Sequence, residues 1–150
     1  MTWRRELEIL ERDQCLDLLP TVRIGRVIFT EHALPVVEPV NFLLWRGDIV
    51  IRVPDGAKLA TSSGNLVVAV EIDELDPDLR TWWSVTVVGH AQLITDVGDL
   101  VELSRLFLQP WLDGRREYFV RIRTEKVTGR RVSVLADQPV SLPVGVASGG

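Results

Sequence analysis

The sequence predicts a mainly β protein with short helices, built as a small antiparallel barrel that is closed or partly split. Three observations lead there. Six or so stretches run or alternate apolar over strand length, turn residues punctuate them, and no strand-helix-strand alternation calls for a parallel sheet. With 150 residues, 46% hydrophobic and 25% charged, the chain has material for one domain with a real core and too little for two. That domain is expected over residues 1–135, followed by a loosely ordered tail at 136–150 rich in Pro, Gly, Ser and Val.

Taken in order, residues 4–19 carry Leu7, Leu10, Cys15, Leu18 and Leu19 at spacings that fit one or two short amphipathic helices ending before Pro20. Val22 to Thr30 (VRIGRVIFT) reads as a strand in which Gly25 marks a bulge or a close backbone approach. A turn near Glu31 to Leu34 leads into Pro35 to Trp45 (PVVEPVNFLLW). Pro39 cannot donate to a ladder, so this strand must be bulged or at an edge there, and Asn41 sits beside the irregularity. Arg46, Gly47 and Asp48 make a hairpin turn, which is the reading given to the RGD triplet.

Next comes Val50 to Ala60 (VIRVPDGAKLA), around which the chain is organised. Its strand ends in a Pro-Asp-Gly turn, with Arg52 and Lys58 on either side. Of 17 basic residues only Lys58 and Lys126 are lysine. Two cations beside backbone N–H groups freed by a turn form a seat for an anion such as a phosphate, and also the ordinary pattern of a solvated hairpin.

Lys58 to Ser63 is expected as a helical turn and Leu66 to Glu74 as a strand whose Glu71 and Asp73 lie on a solvated face. A loop over Leu75 to Thr81 precedes the longest strand signal, Trp82 to Thr95 (WWSVTVVGHAQLIT), bent at Gly89. Asp96 caps a helix whose body runs from Asp99 to Leu108 and which Pro110 stops; Trp111 follows in a connection. Tyr118 to Val132 supplies the last one or two strands.

A net charge of −4 gives no global pull toward nucleic acid or anionic membrane. The basic run of Arg115, Arg116, Arg121, Arg123, Lys126, Arg130 and Arg131 reads first as solvated strand faces. Cys15 is the sole cysteine, which excludes an internal disulfide and multi-cysteine metal motifs. The charged N-terminus has neither a secretory signal nor a membrane span, so a cytoplasmic protein is expected. Nucleophile-elbow, metalloprotease, P-loop, dinucleotide and CxxC motifs are absent, and His32 and His90 have no spacing suited to a metal or a triad. No catalytic side chain is assigned. Hard chemistry, if the protein performs any, is expected from a bound cofactor.

The ordered series IGRVIF, PVVEPVNF, IVIRVPDGAKL, VVAVEIDELD, WWSVTVVGHAQLITD, a helix ending in PW, and YFVRIRTEKVTGRR resembles the pyridoxamine 5'-phosphate oxidase-like split-barrel flavoproteins. It is most similar to the branch with nitroimidazole-resistance-type and actinobacterial members, over about residues 10–132. The resemblance implies a six-stranded antiparallel split barrel that forms a homodimer, with FMN in a cleft between subunits and a deazaflavin cofactor or haem as alternatives. It implies that Arg52 and Lys58 hold the flavin phosphate, with Val53 and Leu59 alongside, and that Val40, Asn41 and Phe42 run beside the ring. Ser84 and Val85 would line the ring or ribityl chain, and Trp111 would approach from the partner subunit.

The activity implied is transfer of electrons from a reduced nicotinamide or another donor to a small-molecule acceptor. A deazaflavin-dependent reductase, or a flavin carrier or sensor without turnover, is the alternative. Two departures stand out. Gly56-Ala57-Lys58 replaces the family's usual Gly-Ser-Lys, removing a hydroxyl worth about 1.5–3 kcal/mol to a charged group unless something replaces it. The histidine of the nitroimidazole reductases has no counterpart, and no cluster of further basic residues serves a phosphorylated substrate.

Overall fold

The computed structural model describes residues 3–107 and 116–136. Its strands are β1 (Trp3–Leu10), β2 (Ile24–Glu31), β3 (Leu34–Trp45), β4 (Asp48–Pro54), β5 (Ser63–Asp76), β6 (Thr81–Leu93), β7 (Glu117–Ile122) and β8 (Lys126–Ala136). Two helices join them, α1 (Arg12–Leu18) and α2 (Val97–Leu106), and Lys58–Thr61 forms a single 3₁₀ turn.

Six strands close a ring in the order β6, β5, β2, β3, β4, β7 and back to β6, all antiparallel. The split lies in β6. Its first part, Thr81 to Val88, pairs with β8, whereas Ala91 to Leu93 pair with β7. Gly89 stands where the two partners part, and a Cβ there would overlap the Arg123 carbonyl group. Only a residue without a side chain lets the chain after β7 cross β6 so closely, and Arg123 N donates to the His90 carbonyl there, at 3.1 Å. Gly25 also marks a close approach, since an added Cβ would sit 2.9 Å from Ile72 Cγ1.

The interior follows from the period-2 alternation. Val27, Phe29, Phe42, Ile49, Ile51, Val68, Val70, Ile72, Val85, Val87, Val120 and Ile122 all point inward and are buried together. Leu10, Cys15 and Leu19 plug one end. Burial pushes the Cys15 thiol up, so it packs as a small apolar group. A second cluster, Trp45, Val50, Leu103, Phe107 and Phe119, seats α2 on the outside of the barrel. As expected, Asp96 caps α2, its Oδ2 accepting from Asp99 N at 2.9 Å.

Two elements differ from the sequence expectation. Residues 3–10 form a strand, not a helix: Trp3, Leu7 and Ile9 alternate with Arg4, Glu6 and Glu8, and this period-2 pattern pairs β1 with β8 along its whole length. The helix begins only at Arg12, after a capping box in which Gln14 Oε1 accepts from Glu11 N at 2.8 Å. β5 and β6 also extend into the expected loop, leaving only Pro77 to Arg80 between them. Of the two alternatives for Pro39, the edge holds. The β2–β3 register passes Pro39 without a shift, and β4 pairs with β3 only from Asn41 to Trp45. Pro110, Trp111 and the tail after Ala136 lie outside the described residues, and among these no helix is long and apolar enough to cross a membrane.

Candidate functional site

The β3–β4 hairpin turns tightly at Arg46 and Gly47, and its register sets Asn41 directly opposite Arg52. Arg52 is 8% exposed at its side chain. Its Nη2 donates to Asn41 Oδ1 at 3.3 Å, its Nε lies 2.7 Å from Glu117 Oε2, and its guanidinium stands 5.2 Å from the Phe107 ring centroid. Glu117 reaches it because β7 pairs with β4, Pro54 against Glu117. Over this ion pair lies a pocket of about 300 Å³ with apolar walls, Pro39, Val40, Val53 and Pro54, and with Glu38, Asn41, Arg52 and Glu117 as its polar groups. The arginine charge is already balanced inside the protein. What the pocket offers a ligand is a flat apolar surface, an amide and a neutralised guanidinium.

Lys58 opens onto a different hollow of the same chain, about 280 Å³, shared with Thr61, Ser62, Ser63 and Asn65. Its Nζ donates to the Thr30 carbonyl at 2.8 Å, and no carboxylate pairs with it among the described residues. Ser62 Oγ is buried there without a hydrogen-bond partner. A cation without an acid, beside an orphaned hydroxyl, suits an anion. Thr61, Ser62 and Ser63 are the hydroxyl-bearing residues of this hollow, close to Ala57 in the chain.

The remaining predicted residues are placed as follows. Val40 and Val53 combine pocket lining with core packing, whereas Phe42, Leu59 and Val85 are buried in the barrel interior. Ser84 lines a third hollow, of about 390 Å³, between β6 and β8 with Thr86, Thr128 and Arg130. Trp111 lies outside the described residues. Within one chain, then, Asn41 and Arg52 come together with Val40 and Val53, while Lys58 and Ser84 face elsewhere. Glu38, Glu117 and Ser62 were missed by sequence reasoning. Glu117 becomes visible only through the β4–β7 pairing, which no local pattern announces.

The far end of the same hairpin is fastened by Asp48. Its carboxylate accepts from Arg121 Nε at 2.8 Å, Arg123 Nη1 at 3.2 Å and Thr124 N at 3.0 Å, and Thr124 Oγ1 donates to the Gly47 carbonyl at 2.7 Å. The RGD triplet is indeed a structural turn. Burial would raise the Asp48 pKa, but the Thr124 N–H and the two guanidiniums outweigh it and hold the group below the usual carboxylate range. A depressed native pKa stabilises the fold above the unfolded value, about pH 4, and that contribution fades as pH falls through the native value. Thermal unfolding followed from pH 7 to pH 2 is therefore expected to show a steeper acid loss of Tm in the wild type than in Asp48→Asn. Parallel curves would count against this assignment.

Glu71 and Asp73 both bind Arg26, at 2.9 and 3.2 Å, and are half-buried, so the face expected to be solvated is only partly so. Burial and the adjacent Asp73 raise the Glu71 pKa. His90 Nδ1 lies 2.6 Å from Glu125 Oε1. No group of three or more metal-ligating side chains occurs among the described residues.

Comparison with known proteins adds a family to this geometry. The model of the pyridoxamine 5'-phosphate oxidase family matches residues 11–131. The chain belongs to that family. The uncharacterised protein Rv0080 of Mycobacterium tuberculosis is 40% identical to this chain over 133 residues, 85% of this chain and 87% of the relative. A candidate pyridoxamine 5'-phosphate oxidase from Corynebacterium glutamicum superposes with a TM-score of 0.74 at 31% identity, covering 85% of this chain and 99% of its own. The FAD-binding protein of Mycobacterium smegmatis follows with a TM-score of 0.69 at 34% identity, covering 83% and 98%. The family's split barrel is the fold described above, and the resemblance read from the motif order is borne out.

A flavin can be tested against the residues present. The apolar pocket with Asn41 at its edge suits a flat, hydrogen-bonding ring, and the Lys58–Ser62 hollow suits a phosphate. The two halves fit on chemistry.

Proposed function

We propose that this chain binds a flavin nucleotide and serves as a flavin-dependent oxidoreductase. The observation that carries the reading is the division of labour between the two hollows: a charge-balanced apolar pocket at Asn41 and Arg52, and Lys58, which has no carboxylate partner among the described residues, beside the buried, unpartnered Ser62 hydroxyl. A bound flavin would supply the redox chemistry, taking a hydride from a reduced nicotinamide or another donor and passing electrons to a small-molecule acceptor.

The chain's own groups then have defined tasks. Asn41 hydrogen-bonds the polar edge of the ring while Val40, Val53 and Pro54 exclude water from its face. Glu117 fixes the Arg52 guanidinium, so that a permanent dipole stands next to the ring with no net charge to solvate. Lys58 and Ser62 anchor the phosphate. Because the two hollows open separately on one chain, the reading includes a homodimer in which a cleft between copies completes the site. The likeness to the FAD-binding protein of M. smegmatis supports a flavin, and FMN and FAD share the parts recognised here.

Titration with FMN, followed by flavin fluorescence, tests the anchor. Lys58→Ala is expected to weaken binding at least tenfold and Ser62→Ala severalfold, as losing hydrogen bonds to a charged group costs about 1.5–3 kcal/mol. Unchanged affinity in both variants would remove this hollow from the site.

A further inference from the structure

A fourth hollow, larger than the three above at about 500 Å³, lies on the outer face of the sheet formed by β1, β8, β6 and β5. Val132, Trp82 and Leu75 of its lining belong to a row set by register, which Leu7 prolongs beyond the hollow. Leu7 stands opposite Val132, Val132 opposite Trp82, and Trp82 opposite Leu75, so four apolar side chains form one row across four strands. Adjacent strands are about 4.8 Å apart, which makes the row about 14 Å long. Leu7 and Leu75 are 60% and 66% exposed, so the ends of the row are open to solvent.

One flank carries charge. In the neighbouring row Arg5 stands opposite Val134, and Val134 N donates to the Arg80 carbonyl at 2.9 Å, bringing both arginines into the lining of the same hollow. Neither makes an ion pair with a carboxylate among the described residues; Arg80 instead rests its guanidinium 3.8 Å from the Trp3 ring centroid. Within the hairpin turn, Asp76 Oδ1 accepts from Asp78 N at 3.0 Å and Leu79 N at 3.1 Å.

The backbone of Arg80 is informative too. It has φ +53°, at the end of a tight hairpin, a conformation that glycine or asparagine adopts at lower cost.

We propose that this hollow binds an amphipathic anion, a fatty-acid-like carboxylate whose tail lies along the Leu7–Val132–Trp82–Leu75 row and whose head is held by Arg5 and Arg80. Two guanidiniums along one flank of an apolar trough, neither with a carboxylate partner among the described residues, select an anionic head over a neutral or cationic one. The row's length selects an extended chain over a compact ring. This site is separate from the proposed flavin pocket and stands whether or not a flavin binds.

Isothermal titration of the full chain with decanoate, kept below its micellar concentration, tests it against decyltrimethylammonium, the same tail with the opposite charge. The wild type is expected to take one decanoate per chain and to bind the cation at least tenfold more weakly. Arg80→Gly should weaken decanoate at least tenfold without lowering Tm, because glycine suits the turn, and Arg5→Gln should act in the same direction. Failure of the wild type to bind decanoate would overturn the proposal, and so would equal binding of both amphiphiles or unchanged binding by both variants. A wild type that ignores decanoate and sediments as a dimer dissociated by Arg80→Gly would assign the face to a second copy instead, and would equally overturn it.

Discussion

Gly89→Ala is expected to destabilise the barrel by about 3 kcal/mol or more, at or beyond the top of the usual range for overpacking, because the obstacle is backbone. The added Cβ would overlap both the carbonyl oxygen and the carbonyl carbon of Arg123, and this segment cannot swing away. Arg123 N is bonded to the His90 carbonyl, Thr124 N to the buried Asp48 carboxylate, and the pairs Ala91–Ile122 and Gln92–Arg121 continue the β6–β7 ladder directly beyond. The strain therefore falls on the closure of the barrel. Urea unfolding would read the loss as a lower midpoint at unchanged slope. A change below about 1 kcal/mol would mean that the β6–β7 crossing is looser than the geometry described.

The second large effect is expected at Glu117. Glu117→Ala leaves the Arg52 guanidinium, 8% exposed, without its counterion, and breaking a buried pair from one side typically costs about 3–5 kcal/mol. Removing both charges is gentler: Arg52→Met with Glu117→Met should recover most of the loss, since an apolar pair leaves no unbalanced charge. If the single and double variants were equally unstable, packing rather than charge would explain the pair. The same comparison bears on function, because Glu117→Ala would also turn a neutral pocket lining into a cationic one and shift the choice of ligand toward anions.

Much of the fold was legible because barrel strands have a strong local signature. Inward Val27, Phe29, Val68, Val70, Ile72, Val85 and Val87 alternate cleanly, Asp96 announces its helix, and Gly25 marks a close approach, whereas at Gly89, read from the sequence as a bend, the structure shows a backbone crossing. The first strand was misread for an equally local reason: Leu7 and Leu10 are three apart, a helical spacing, and the alternation of Trp3, Leu7 and Ile9 gains meaning only once β8 lies beside it. The site was less legible. Sequence proximity made Arg52 and Lys58 look like one fork, yet the strand aims Arg52 at Asn41 and Glu117 while the turn after Gly56 sends Lys58 to Thr30. Glu117 lies 65 positions from its partner, by subtraction of the two residue numbers, and Ser62 is notable only for burial without a partner. Long-range pairing and the absence of a bond leave no trace in a local pattern.

The central claim is flavin binding, and equilibrium dialysis of the purified protein against FMN, FAD and a deazaflavin cofactor, read by absorption, tests it most directly. The account predicts saturable uptake of FMN or FAD at one per chain, lost together with the Lys58 anchor in Lys58→Ala. Absence of uptake of either flavin at concentrations well above micromolar would contradict it, leaving the family and the barrel in place but removing the oxidoreductase reading.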